Sequence, residues 1–190
     1  MANTDAPRGA IPAYHMTGGL IRLDSYPIAT GYATSIFTGD FVTLIADGTV
    51  TQAAGGGIIA GVFQGVYYTN ASGEQVFNKY WPASTTATKI KAMVITDPNV
   101  VFLMQHDSVG TTPGGVVDVG GNYDVIVGTG STLTGVSAME IDTSTIGTAT
   151  AQVQVVGIPT HPDNDDDAIW ATAYVRVVEH NRLSATGITT

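Results

Sequence analysis

Residues 38–70, TGDFVTLIADGTVTQAAGGGIIAGVFQGVYYTN, constrain the fold of this chain most tightly. Residues 41–45 are rich in β-formers, Asp47-Gly48 favours a two-residue turn with positive φ, and residues 49–53 resume as strand, which together specify a hairpin. After the run Gly55, Gly56, Gly57, side chains alternate, with Ile59, Gly61, Phe63, Gly65 and Tyr67 on one face and Ala60, Val62, Gln64, Val66 and Tyr68 on the other. Glycines recurring on one face let a strand coil tightly or admit a neighbouring backbone or ring. The stretch predicts a small, strongly curved β-sheet.

Composition narrows the class. A chain of 190 residues is long enough to bury a full core, and it contains no cysteine, so disulfides, zinc-thiolate sites and thiol nucleophiles are ruled out. Hydrophobic residues make up 44% and charged residues only 12%, yet no apolar run is long enough to cross a bilayer as a helix, so no membrane partner is expected. The amino terminus has no basic segment followed by an apolar stretch, and the expectation is a protein made in the cytoplasm. Sixteen acidic against seven basic residues give a net charge of -9, and the lysines occur only at Lys79, Lys89 and Lys91. No basic stripe is available to track phosphates, so nucleic-acid binding is not expected.

Residues 1–24 hold Pro7, Gly9, Pro12, Gly18 and Gly19 among scattered apolar residues without a sustained period, and read as an extended arm. An irregular arm carrying Ile11, Tyr14, Met16 and Leu20 is explained equally by docking on a neighbour or by packing on its own domain. Residues 89–96 and 100–106, separated by Thr96-Asp97-Pro98-Asn99, predict a second hairpin. Residues 107–150, crowded with Gly, Thr and Ser, predict long loops or a protruding subdomain, with short strands only at 123–127 and 137–142. Residues 151–158 and 169–179 predict two long strands, with Ala171, Ala173, Val175 and Val177 on one face and Thr172, Tyr174 and Arg176 on the other. The expected fold is all-β: one curved barrel or sandwich over 25–182, preceded by the 1–24 arm, interrupted by the loop-rich Gly/Thr insertion, and followed by a tail at 183–190.

Candidate chemistry is sparse. The run Asp163, Asn164, Asp165, Asp166, Asp167 offers oxygen ligands, but a calcium loop wants glycine at its sixth position and an acid at its twelfth, where this chain has Ala168 and Tyr174. His15, His106, His161 and His180 lie at no ligand spacing, and no serine occupies a nucleophile elbow. No catalytic residue, metal ligand or cofactor site is assigned. The aromatic group Phe77, Tyr80 and Trp81 reads most simply as core, and otherwise as an interface anchor or a sugar platform.

Several local motifs carry a family resemblance. They are MANTDAPRG at the start, His15-Met16-Thr17-Gly18-Gly19, the run from Gly31 to Asp40, Gly61-Val62-Phe63-Gln64-Gly65-Val66, Lys79-Tyr80-Trp81-Pro82-Ala83-Ser84, Asp97-Pro98-Asn99, Gln154-Val155-Val156-Gly157 and Val178-Glu179-His180-Asn181. Through these the chain resembles the decoration, or cement, proteins of tailed-bacteriophage heads. The resemblance implies a non-enzymatic virion protein, synthesised in the host bacterial cytoplasm, that binds the outside of the capsid as a homotrimer and bridges subunits of the major capsid protein. On this reading the arm is expected to engage a sheet edge, with Ile11, Tyr14, Met16, Leu20, Tyr80 and Trp81 as partner-binding residues, and removing residues 1–19 is expected to leave a folded β-domain that binds the shell more weakly. The alternative is a virion-surface module that binds glycans through its aromatic or Gly/Thr-rich loops.

Overall fold

The computed structural model describes residues 3–107, 119–147, 151–165 and 168–183. Its strands are β1 (Ile11–His15), β2 (Asp24–Tyr26), β3 (Ile36–Phe37), β4 (Phe41–Leu44), β5 (Val50–Gln52), β6 (Gly61–Asn70) and β7 (Gln75–Asn78). There follow β8 (Tyr80–Trp81), β9 (Ala87–Ile95), β10 (Val100–Gln105), β11 (Asn122–Ile126), β12 (Glu140–Asp142), β13 (Val153–Gly157) and β14 (Thr172–Val177). One sheet has the order β1-β10-β14-β13-β11-β12, a second has β2-β9-β6-β4-β5 with β7 also on β6, and β3 pairs with β8. The fold is all-β and sandwich-like. No closed barrel forms, because both large sheets end in edge strands.

Two cores hold the layers together. Val100, Phe102 and Met104 of β10 and Val153, Val155, Ala173 and Val175 of β13 and β14 meet Phe41, Val62 and Ile95 of the second sheet in the first core. On the opposite face of the second sheet, Val42, Phe63, Val66, Ala92 and Val94 pack with Ile28, Ile36 and Trp81 in the other. The second sheet is therefore apolar on both faces, which is why residues 58–68 read as a nearly continuous apolar run. Strict alternation along β6 fails at one place. The register with β9 shifts between Phe63 and Gly65, so the parity reverses and Phe63, Val66 and Tyr68 all face the same core. Gly61 has the role the sequence suggests, since a Cβ there would lie 2.2 Å from the Ile95 carbonyl oxygen.

The hairpin at 41–52 forms, but its turn is longer than two residues. Leu44 pairs with Val50, the Asp47 carboxylate accepts from the Thr49 amide at 2.8 Å, and of Asp47 and Gly48 only the glycine has positive φ. The second hairpin does not form. Asn99 N–H donates to Asp97 Oδ1 at 2.9 Å and a turn exists, yet β9 pairs with β2 and β6 while β10 pairs with β1 and β14. Ile95 and Val100 both enter the first core from either side of this turn, so the chain crosses between sheets at the corner of the sandwich.

The described part of 107–150 is integrated rather than protruding. β11 pairs with β12 and β13, and Tyr123, Val125, Met139 and Ile141 belong to the first core. Residues 108–118 and 148–150 of that insertion, and 184–190 of the tail, lie outside the described residues. The final pair is as the alternation predicts, with Ala173, Val175 and Val177 buried and Thr172, Tyr174 and Arg176 half-buried on the outer face of β14.

The amino-terminal segment is not a free arm. β1 forms the edge of the first sheet against β10, and β2 forms the edge of the second against β9. Buried Gln105 donates to the Thr4 carbonyl at 2.8 Å and accepts from the Ala6 amide at 2.9 Å. Asn3 donates to the carbonyls of Asp165 and Ile169 and accepts from the Asp165 amide. Deleting residues 1–19 would thus remove the edge strand β1 and leave Gln105 without those partners.

Gln152, 1% exposed, joins the layers through all four of its hydrogen-bonding positions. Its Nε2 donates to the carbonyls of Ala54 (3.0 Å) and Gly57 (2.7 Å), and its Oε1 accepts from the amides of Gly56 (2.9 Å) and Val125 (3.1 Å). Truncating it strands several buried polar groups, each costly to leave unpaired. Gln152→Ala is expected to lower unfolding stability by about 3 kcal/mol in urea titrations, whereas a loss below about 0.5 kcal/mol would show that the 54–57 loop is not held in this way.

Candidate interaction surface

Among the described residues, the largest set of exposed apolar side chains on one continuous stretch runs from β1 to β2: Ile11, Tyr14, Met16, Leu20, Ile21 and Leu23. Leu20 is 84% exposed. Local chemistry fixes this stretch. His15 Nδ1 accepts from the amides of Thr17 and Gly19, both at 3.2 Å, which leaves Nε2 to donate to Asp97 at 3.0 Å. The Met16 amide donates to the Asn99 carbonyl at 2.9 Å, and Gly18 closes the turn with positive φ. At the far end, Asp24 accepts from the Thr96 hydroxyl and from the Arg182 guanidinium at 2.7 Å. These bonds, Thr96 first and Arg182 second, hold its carboxyl below the ordinary range; for Asp97 the Asn99 amide comes first and His15 next. Both ends of the apolar segment are thereby tied to the crossover at 96–99.

The outer face of the first sheet continues the surface. Tyr14 meets Tyr174 edge to face at 5.5 Å, and Ile11 stands opposite Leu103 in the β1–β10 pairing. Beside it lies a groove of about 330 Å³ lined by Asn3, Leu103, Gln105, His161, Trp170 and Tyr174. The acidic loop borders this groove, with His161 and Asp163 3.7 Å apart and both well exposed. Asn164 holds the loop's shape by accepting from the Thr172 amide at 2.8 Å and donating to the Pro159 carbonyl at 3.0 Å. Asp166 and Asp167 lie outside the described residues. Among the described residues no group of three or more His, Asp or Glu side chains converges as a metal site.

Of the partner-binding residues expected from sequence, Ile11, Tyr14, Met16 and Leu20 lie together on the exposed segment, whereas Tyr80 and Trp81 do not join them. β8 belongs to the small sheet beyond the second core. Trp81 is fully buried against Tyr68 at 5.4 Å, and Tyr80 stacks on Phe37 at 5.3 Å. The aromatic group is split, because Phe77 alone points outward, 68% exposed. Trp81 therefore has no exposed surface with which to touch a partner. Sequence reasoning passed over Asn3, Gln105 and Gln152; for the two glutamines the only signal was an amide within or beside an apolar run, and Asn3 carried none.

No family model, curated protein or solved structure matches this chain.

His180 backs the crossover that anchors the segment. It bridges to Ile59, accepts from the Arg182 amide through Nδ1 at 3.0 Å, and is 3% exposed. Burial first, and Arg182 second, push its pKa down from 6.5 to about 4, so the fold holds it neutral. A depressed folded-state pKa contributes stability in full above the unfolded value and loses it as pH falls towards the folded one. His106 shifts in the same direction through burial, whereas buried Asp40 is raised and contributes with the opposite sign. The comparison of wild type with His180→Gln isolates one group. Between pH 6.5 and about 4 wild type should lose more stability than the variant in parallel urea titrations, and equal slopes would contradict a neutral buried imidazole.

Proposed function

We propose that this protein is a non-enzymatic decoration protein of a tailed-bacteriophage head, binding the outer surface of the capsid and stabilising it by bridging subunits of the major capsid protein. The observation that carries the reading is the set of large apolar side chains exposed on residues 11–23 while their backbone is anchored at both ends. Exposed apolar surface is costly to solubility, and on a monomer it marks a site of association. Because the segment is ordered by His15, Asp97, Asp24 and Arg182, docking it costs little further conformational entropy.

Mechanically, such a protein resists outward pressure by burying area across more than one shell subunit. Many copies acting together hold far better than one contact would. The homotrimer implied by the sequence resemblance fits local threefold positions of an icosahedral shell. The aromatic and apolar residues contacting the shell are then Ile11, Tyr14, Met16 and Leu20, with Leu23 beside them.

Cosedimentation of the purified protein with mature heads that lack it tests the reading. Wild type should saturate at a stoichiometry matching the local threefold positions. Met16→Asp and Leu20→Asp, both at exposed positions, should melt like wild type and bind at least tenfold more weakly. Absence of wild-type binding would overturn the head-binding proposal, and undiminished binding by both variants would remove the 11–23 segment from it.

A further inference from the structure

Three amide side chains shape the groove beside β14, and none has a hydrogen left to give to a ligand. Asn3 Nδ2 donates to the carbonyls of Asp165 (2.8 Å) and Ile169 (3.0 Å). Asn164 Nδ2 donates to those of Pro159 (3.0 Å) and Thr172 (3.2 Å), and Gln105 Nε2 to those of Thr4 (2.8 Å) and Trp170 (2.7 Å). A primary amide has two N–H groups, so all three side chains are spent on the chain itself. They fix the walls before any ligand arrives, which lowers the cost of binding.

The same bonds hold Trp170 in an unfavourable backbone conformation. Its φ is +59, a region that bulky residues rarely enter. The Ile169 and Trp170 carbonyls receive Asn3 and Gln105, so the surrounding structure imposes the conformation. Backbone strain maintained in this way on the wall of a cavity points towards a functional position. Trp170 and Tyr174, both half-buried, line the groove, and Tyr14, 46% exposed, extends the aromatic surface through its edge-to-face contact with Tyr174.

The charge on this wall is negative. Asp163 lines the groove with its side chain 76% exposed, and among the described residues its one ion-pair partner is His161, 3.7 Å away. No Lys or Arg lines the groove. Arg8 lines the adjoining hollow of about 430 Å³, which shares Leu103, Gln105 and Asp163, yet it forms no ion pair with that carboxylate. An ionised carboxylate accepts hydrogen bonds and donates none. A carbohydrate would find no amide donor here for its oxygens, and an anion would meet a like charge. A ligand that brings N–H groups, a positive charge and a flat face is complementary to the whole wall, and a guanidinium has all three.

We propose that the groove lined by Trp170, Tyr174 and Asp163 binds an arginine side chain of a partner polypeptide. The guanidinium lies against the aromatic rings and donates to the Asp163 carboxylate. This binding is independent of what residues 11–23 contact, so short peptides suffice to test it.

Trp170 supplies the readout. The chain has two tryptophans and the other, Trp81, is fully buried, so a ligand in the groove changes the fluorescence of Trp170. The whole protein is titrated with a glycine–serine peptide carrying one central arginine, with the same peptide carrying citrulline or glutamate instead, and with maltohexaose. The arginine peptide should give a saturable change, and the citrulline peptide, uncharged but similar in shape, should bind about tenfold more weakly. Tyr174→Leu should weaken arginine binding about fivefold. Asp163→Asn, at an exposed position that leaves the fold intact, should weaken it about threefold. Glu74→Gln, the same change of charge at the β6–β7 turn, should bind like wild type. No saturable change with the arginine peptide, equal affinity for the citrulline or glutamate peptide or for maltohexaose, or equal binding by Asp163→Asn and Glu74→Gln would each overturn the proposal.

Discussion

The structure depends on one constraint: its second sheet must be apolar on both faces while its strands stay in register with neighbours on both sides. β6 meets that demand by changing parity. Up to Phe63 its alternation sends Val62 to one core and Phe63 to the other, and past the shift at Gly65 the set Val66 and Tyr68 returns to the core that Phe63 faces. Without the extra residue, Val66 and Tyr68 would point with Val62 towards the first core, and Trp81 would lose its ring contact with Tyr68. A one-residue slip flips every side chain of a strand, so the bulge is as much a part of the fold as the hydrophobic residues that it places.

Once the second sheet is fixed, polar residues attach the rest to it. Gln152 ties the 54–57 loop to β11, and Asp40, fully buried, accepts from the Phe37 amide and the Gln52 side chain, both at 2.9 Å. Gln105 and Asn3 secure the chain before β1. Such bonds contribute modestly when made and cost much when broken, so they decide between competing arrangements of similar apolar burial.

Much of this was legible in the sequence at the level of strands. Alternation marked β14 correctly, and the Asp47-Gly48 turn marked β4 and β5. Sheet membership was not legible, because a turn signal such as Asp97-Pro98-Asn99 reports that the chain reverses or bends, not whether the flanking strands pair. The core reading of the aromatic group holds for Trp81 and fails for Phe77 for a related reason: the two are close in sequence, but the end of β7 and the start of β8 intervene and send them to opposite environments. The exposed residues of 11–23 were visible as apolar residues without a period, yet their anchoring through His15 and Asp24 needed contacts over 82 and 72 positions of chain.

The surface that results has a consistent physical character. Apolar side chains are displayed on a backbone held by hydrogen bonds, which supports the proposed role of holding surfaces together. The most direct measurement is a cryo-electron-microscopy reconstruction of heads saturated with the protein. Ile11, Tyr14, Met16 and Leu20 should lie against density of the major capsid protein, bridging more than one shell subunit. Density that turns this segment towards solvent, with the shell contacted elsewhere, would contradict the account.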